Sequence, residues 1–191
     1  MVELKFTKEM LGLLSRLKGE TLLSYSYDKY WEKVVRPECY IPSAGWKTRL
    51  YTTIGELDLL NEQNVHPWFG GIEDIAGFSC NMVKKGERFS PRDEMPNGIQ
   101  PVNKRIVGIE IINDVIVINK GEYSLTFDQA LIFRFEDGSV LMFSRDVWFS
   151  EEISITWHDD YDKLFSIEEL TETLNDEGDD QVEVTRTRRV L

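Results

Sequence analysis

The stretch from Arg105 to Trp157 leaves this chain the least choice of fold. Ile106-Val107-Gly108-Ile109-Glu110-Ile111-Ile112 is dense in β-branched residues and reads as a strand. Asn113-Asp114 reads as a turn into a second strand, Val115-Ile116-Val117-Ile118, and Lys120-Gly121 as a turn into a third, Tyr123-Ser124-Leu125-Thr126. Asp137-Gly138 then separates Leu131–Glu136 from Ser139–Ser144, and Asp-Gly suits the positive φ angles of a two-residue hairpin loop. A tight loop would set Phe135 opposite Val140, Phe133 opposite Met142 and Leu131 opposite Ser144. Glu152–Trp157 alternates again, with Ile153, Ile155 and Trp157 on one face. Consecutive strands at hairpin spacing make a meander. The fold class that follows is α+β, mainly antiparallel β, as a curled meander, sandwich or half-barrel with one or two short helices.

The flanks add the helices and further strands. Thr7 suits a helix N-cap, Phe6 and Leu11 can staple the entry, and Met10, Leu11, Leu14 and Leu17 recur at helical spacing before Gly19. A helix over roughly 8–18 is predicted. Ser24-Tyr25-Ser26-Tyr27 alternates as a strand does, and Arg49–Leu60 reads as a hairpin turning at Ile54-Gly55. Asn61–Lys104 is rich in glycine and proline. One strand, Gly77–Val83, is read through it, and Gly86–Val102 reads as a long surface loop. Ser166-Ile167-Glu168-Glu169 is a capping box for a helix over roughly 167–174. Beyond it, within 175–191, Asn175–Asp180 is an acidic loop and Val182–Thr185 an edge strand or a frayed tail.

The chain's 191 residues suit a single domain, 1–191, with a core that needs no disulfide framework. Cys39 and Cys80 read as reduced thiols. Charges at Glu3, Lys5, Lys8 and Glu9 break up any secretory signal, and no run approaches the ~20 apolar residues of a membrane span. A cytoplasmic location is the expectation. The net charge is -12, and it is localised: from Asp146 to Asp180 there are thirteen carboxylates against Lys163 alone. Such a field repels nucleic acid and anionic membrane and attracts cationic partners.

The candidate chemistry is sparse. His158-Asp159-Asp160-Tyr161-Asp162 offers hard oxygen ligands, but as a calcium loop starting at Asp160 it puts Phe165 at the glycine position and Thr171 at the closing glutamate. A zinc site would need Cys39, Cys80, His66 and His158 to converge without ligand spacing. Gly77-Phe78-Ser79-Cys80-Asn81 lacks the closing glycine of a nucleophile elbow. The basic positions Lys84, Lys85, Arg88, Arg92, Lys104 and Arg105 are diluted by Glu87, Asp93 and Glu94. No metal, no cofactor and no catalytic residue is expected, and binding is favoured over catalysis.

The remaining feature is the acidic segment with its aromatics. Trp148, Glu151, Glu152, Trp157, Asp159, Asp160 and Asp162 are the candidate partner-binding residues, the carboxylates steering a basic protein and the aromatics anchoring it. A small, acidic, strand-rich chain of this kind, with Asp137-Gly138 and Trp148-Phe149-Ser150-Glu151-Glu152 inside Ala130–Ile155, resembles immunity proteins of bacterial polymorphic toxin systems, such as those of contact-dependent growth inhibition. The resemblance implies a protein that binds and neutralises a toxin domain, often a basic nuclease. The alternative is a small-molecule-binding or enzymatic β-barrel.

Overall fold

The structure, a computed structural model, describes residues 1–28, 40–41, 45–68, 70–84, 86, 97–145, 150–157, 166–175 and 181–191. In chain order the elements are β1 (Val2–Leu4), α1 (Lys8–Ser15), β2 (Thr21–Asp28), β3 (Tyr40–Ile41), β4 (Lys47–Thr52), β5 (Gly55–Trp68), β6 (Gly71–Met82), β7 (Asn97–Ile118), β8 (Tyr123–Phe135), β9 (Val140–Arg145), β10 (Ile153–Thr156), α2 (Ile167–Leu174) and β11 (Val182–Val190). The strands join in the order β3-β10-β9-β8-β7-β2-β4-β5-β6, with β1 added beside β8 and β11 beside β7. All the pairs are antiparallel except β1 with β8. The sheet has two ends and is not closed. It is an α+β fold, a curled antiparallel meander of half-barrel form.

β7 organises it. Its first part pairs with β2 and its second, from Ile106, with β8, while Glu110–Ile118 also carries β11 on the other side. The two meanders, β2-β4-β5-β6 and β7-β8-β9-β10, are therefore hinged on one 22-residue strand. The far end of the β5–β6 hairpin curls back onto β1 and β8. Tyr123 donates to the Pro67 carbonyl at 2.9 Å, Arg145 Nη1 donates to the Ala76 carbonyl, and Gly77 sits against the Leu4 side chain.

The main core gathers Leu14 and Leu17 from the α1 region with Tyr25, Leu50, Leu57, Leu59, Phe78, Ile109, Phe133, Phe143 and Ile155 from the strands. α1 thus lies against one face of the sheet. Its cap is the predicted one, Thr7 Oγ1 accepting from the Met10 amide at 3.3 Å. A second cluster, Val2, Ile75, Ile116, Leu125 and Phe127, takes Leu170 of α2, whose bounds match the capping-box reading. No helix among the described residues is long and apolar enough to cross a membrane.

Four local readings are corrected. The Asp137-Gly138 hairpin exists, but Phe133 faces Leu141, Ile132 faces Met142 and Leu131 faces Phe143, one residue off the tight-loop register. The Gly138 amide bonds the Phe135 carbonyl and the Phe135 amide bonds the Ser139 carbonyl, so the loop is Glu136-Asp137-Gly138 with Gly138 at φ 82°. That is a turn followed by a glycine bulge, and the extra residue shifts the pairing.

Asn113-Asp114 is no turn. β7 runs straight through it, with a bulge where Ile112 faces Ala130 and Asn113 faces Asp128. Asn and Asp favour turns by bonding their own backbone. Here Asn113 donates to the Phe127 carbonyl and Asp128, and Asp114 accepts from Arg186, so neither is available to bend the chain.

The region from Asn61 is not irregular up to Met82: β5 continues to Trp68 and β6 returns from Gly71. Pro67 is tolerated because beyond Leu60 β6 is the one strand among the described residues that pairs with β5, and the amide that Pro67 lacks would point away from β6. Of the loop read over 86–102, residues 97–102 belong to β7, and 87–96 lie outside the described residues. At the C-terminal end the strand alternative holds and extends to Val190.

Candidate functional site

Trp148, Asp159, Asp160 and Asp162 lie outside the described residues, as do His158 and Cys39. Glu151, Glu152 and Trp157 are described, and they occupy two different environments.

Trp157 continues the alternation of Ile153 and Ile155 and is half-buried at the edge of the main core. Its ring stacks on Phe135 at a centroid distance of 5.9 Å, and Lys104 Nζ lies 5.3 Å from its centroid. Its indole N–H donates to the Tyr25 hydroxyl at 3.3 Å. Burial pushes the Tyr25 hydroxyl up to about 12, against the lowering effect of that hydrogen bond. Lys104 is itself held by Asp137 at 2.7 Å. Trp157 is thus tied into the fold on both its polar and its apolar sides.

Glu151 and Glu152 are placed by β5. Asn61, fully buried, donates its side-chain amide to the Ser150 carbonyl at 2.8 Å and the Glu152 carbonyl at 3.4 Å. Glu151 accepts from the Gln63 backbone amide at 3.1 Å, which lays its carboxylate alongside the outer half of the β5–β6 hairpin.

That hairpin is the part of the surface the sequence reading passed over. From Gly55 to Met82 it carries Glu56, Asp58, Glu62, Glu73 and Asp74 and no lysine or arginine. Asp58 and Glu56 answer Arg49, but Glu62, Glu73 and Asp74 are exposed. On the same outer half, Val65 is 62% exposed and Ile72 75% exposed. Val65 pairs with Asp74 and Pro67 with Ile72, so the two apolar side chains share one face of the hairpin. Asp74 shares that face and Glu151 meets its edge at Gln63, while Glu62 and Glu73 lie on the hairpin's opposite face, so the exposed apolar pair sits in an acidic neighbourhood. The signal was present as a 28-residue cation-free stretch, but its glycines and proline disguised it as loop.

Elsewhere several cations are paired within the chain. Arg49 and Lys47 pair with Asp58, Arg134 and Arg188 with Glu110, Arg186 with Asp114, and Lys104 with Asp137.

Three other places hold buried polar or nucleophilic groups. A cleft of about 340 Å³ is lined by Lys5, Phe6, Leu11, Ile111, Asn113, Asp128, Thr187 and Arg189. Burial raises the Asp128 carboxyl, although the Phe6 amide at 2.7 Å and Asn113 at 3.0 Å donate to it and pull the other way. Arg145 is buried over the Phe127 ring at 4.3 Å, and burial brings its guanidinium down to about 9, so it stays charged at neutral pH. Its Nε and Nη2 have no hydrogen-bond partner among the described residues, but the group is sealed from solvent and out of a partner's reach. Cys80 is a free, buried thiol pushed up to about 12 by burial, which makes it a poor nucleophile. Among the described residues no three His, Cys, Asp or Glu side chains gather as metal ligands.

No protein-family model, curated protein or solved structure matches this chain.

Proposed function

We propose that this chain is a non-catalytic binding protein for a basic protein, and that it acts as an immunity protein neutralising a toxin domain. The observation that carries the reading is the outer half of the β5–β6 hairpin. Two exposed apolar side chains, Val65 and Ile72, share a face with Asp74 on a hairpin that carries Glu62 and Glu73 on its other side, and Asn61 and Gln63 add the 150–152 segment at its edge. The carboxylates would steer a cationic surface in, and the apolar pair would be dehydrated on contact.

The test is association kinetics with a basic protein captured by this chain from a lysate of its source organism, with lysozyme as a control for unspecific charge attraction. Glu62→Lys, Asp74→Lys and Glu151→Lys together should slow association at least about ten-fold, as raised salt should for the wild type. Val65→Ser with Ile72→Ser should speed dissociation instead. Association insensitive to both salt and charge reversal, or equal binding to lysozyme, refutes the reading.

A second reading, a small-molecule site, has the cleft at Asp128 in its favour, where a buried carboxyl faces an opening lined by Lys5 and Arg189. Asp128→Asn would abolish ligand-induced thermal stabilisation there and leave the protein partner's association rate unchanged.

A further inference from the structure

β11 is an edge strand with unusual features. It runs nine residues alongside β7 without a register shift, and it contains no proline. Its orientation follows from its ends: the Asn119 amide bonds the Gln181 carbonyl at 2.9 Å, and the Leu191 amide bonds the Ile109 carbonyl at 2.9 Å. The odd-numbered residues therefore face β7 with their backbone groups. The amides and carbonyls of Val182, Val184, Arg186, Arg188 and Val190 point the other way, where no strand lies among the described residues.

Natural edges of this length are usually guarded by bulges, prolines or charges. Here two of the three arginines are neutralised within the chain. Arg186 forks onto the buried Asp114 through two bonds of 2.7 Å, and Arg188 pairs with Glu110. Glu183 and Arg189 are exposed, and among the described residues neither is in an ion pair.

The sequence of the strand is complementary to itself. Folded antiparallel about Arg186, Val-Glu-Val-Thr-Arg-Thr-Arg-Arg-Val sets Val182 against Val190, Glu183 against Arg189, Val184 against Arg188 and Thr185 against Thr187. The outward-facing residues then fall opposite one another, as hydrogen bonding between the two strands demands. The opposite-charge pair and the threonine pair occur twice each, and both are favourable cross-strand combinations. The remaining like-charge meeting, Arg186 with its own copy, involves side chains already held by Asp114.

We propose that β11 is the interface through which two copies of this chain pair, antiparallel and two-fold about Arg186, continuing the sheet from one protomer into the other. The pairing does not depend on the acidic face of the β5–β6 hairpin.

The experiment is sedimentation velocity over a concentration series of the full chain. Wild type should show a reversible monomer–dimer equilibrium. Arg189→Glu sets Glu183 against a carboxylate, and Glu183→Arg sets Arg189 against a guanidinium. Each should weaken dimerisation about ten-fold, and the double swap, with the pair reversed, should restore it. Both positions are exposed, so the fold should survive, as circular dichroism would check. Hydrogen exchange gives an independent readout: the Val184 and Arg188 amides should become protected on dimerisation, while Thr185 and Thr187, bonded to β7, stay protected throughout. A wild type that remains monomeric up to about 1 mM overturns the proposal. So does a dimer whose affinity ignores both single swaps, or one whose Val184 and Arg188 amides exchange freely.

Discussion

Asp58 holds two cations in the wall of the sheet, and removing its charge tests whether that wall is dry. Arg49 and Asp58 are direct partners in the β4–β5 ladder, with Nε–Oδ1 at 2.7 Å and Nη2–Oδ2 at 3.0 Å. Lys47 Nζ reaches the same carboxylate at 2.8 Å. The side chains are 3%, 3% and 10% exposed for Arg49, Asp58 and Lys47. For charge centres about 4 Å apart each attraction is about 4 kcal/mol with an effective dielectric near 20. The mutual repulsion of the cations and the lost hydration of all three groups offset much of that. Asp58→Asn takes from both buried cations the carboxylate they share, while their desolvation cost stays and Arg49 keeps the more exposed Glu56 at 3.4 Å. Breaking a buried pair this way costs about 3–5 kcal/mol. For a chain of this size that lowers the melting temperature by about 6–20 °C. Differential scanning calorimetry with guanidinium titration of tryptophan fluorescence measures it. Replacing Lys47 and Arg49 with Met and Asp58 with Leu should recover most of the loss, because no buried charge remains. A D58N variant within about 1 kcal/mol of wild type would refute the reasoning and mean that water reaches the triad.

Three further outcomes follow from the core. The Tyr25 hydroxyl, raised by burial to about 12 from its ordinary 10, favours the neutral folded state, so its contribution is fully present below pH 10 and is lost as pH rises toward 12; absorbance at 295 nm should show one tyrosine ionising late, together with alkaline unfolding. Cys80 should resist thiol reagents in the native protein and react at the rate of unfolding, checked by mass spectrometry during a denaturant series. Gly98→Ala should cost about 1–3 kcal/mol, because an added Cβ overlaps the ring of its partner Tyr27, and chemical denaturation would show it.

Much of the local architecture is readable in the amino-acid sequence, because it rests on signals a few residues long. Thr7 caps α1, Ser166 and the residues after it start α2, and period-two alternation marks Tyr25 and Tyr27, Ile153 and Ile155. The hairpin at Gly138 is legible too, but not its register, since whether Asp137-Gly138 spans two residues or carries a bulge depends on which pairing buries Phe133 and Leu131. The acidic character is likewise written in composition, and Glu151 with Glu152 could be named from it.

What tertiary structure alone decided is where those pieces meet. Asn113 and Asp114 look like a turn until Phe127, Asp128 and Arg186, distant in sequence, take their hydrogen-bonding groups and leave β7 straight. Glycines and Pro67 look like loop until β6 pairs with β5 along its whole length. Asn61 and Gln63 then bring the 150–152 segment beside that hairpin, across about ninety residues of chain, and set the Glu151 carboxylate at the edge of the strand that carries Val65. Each of these is a long-range hydrogen bond or ladder. Local propensity is worth tenths of a kcal/mol per residue and yields wherever buried partners elsewhere can satisfy the same groups.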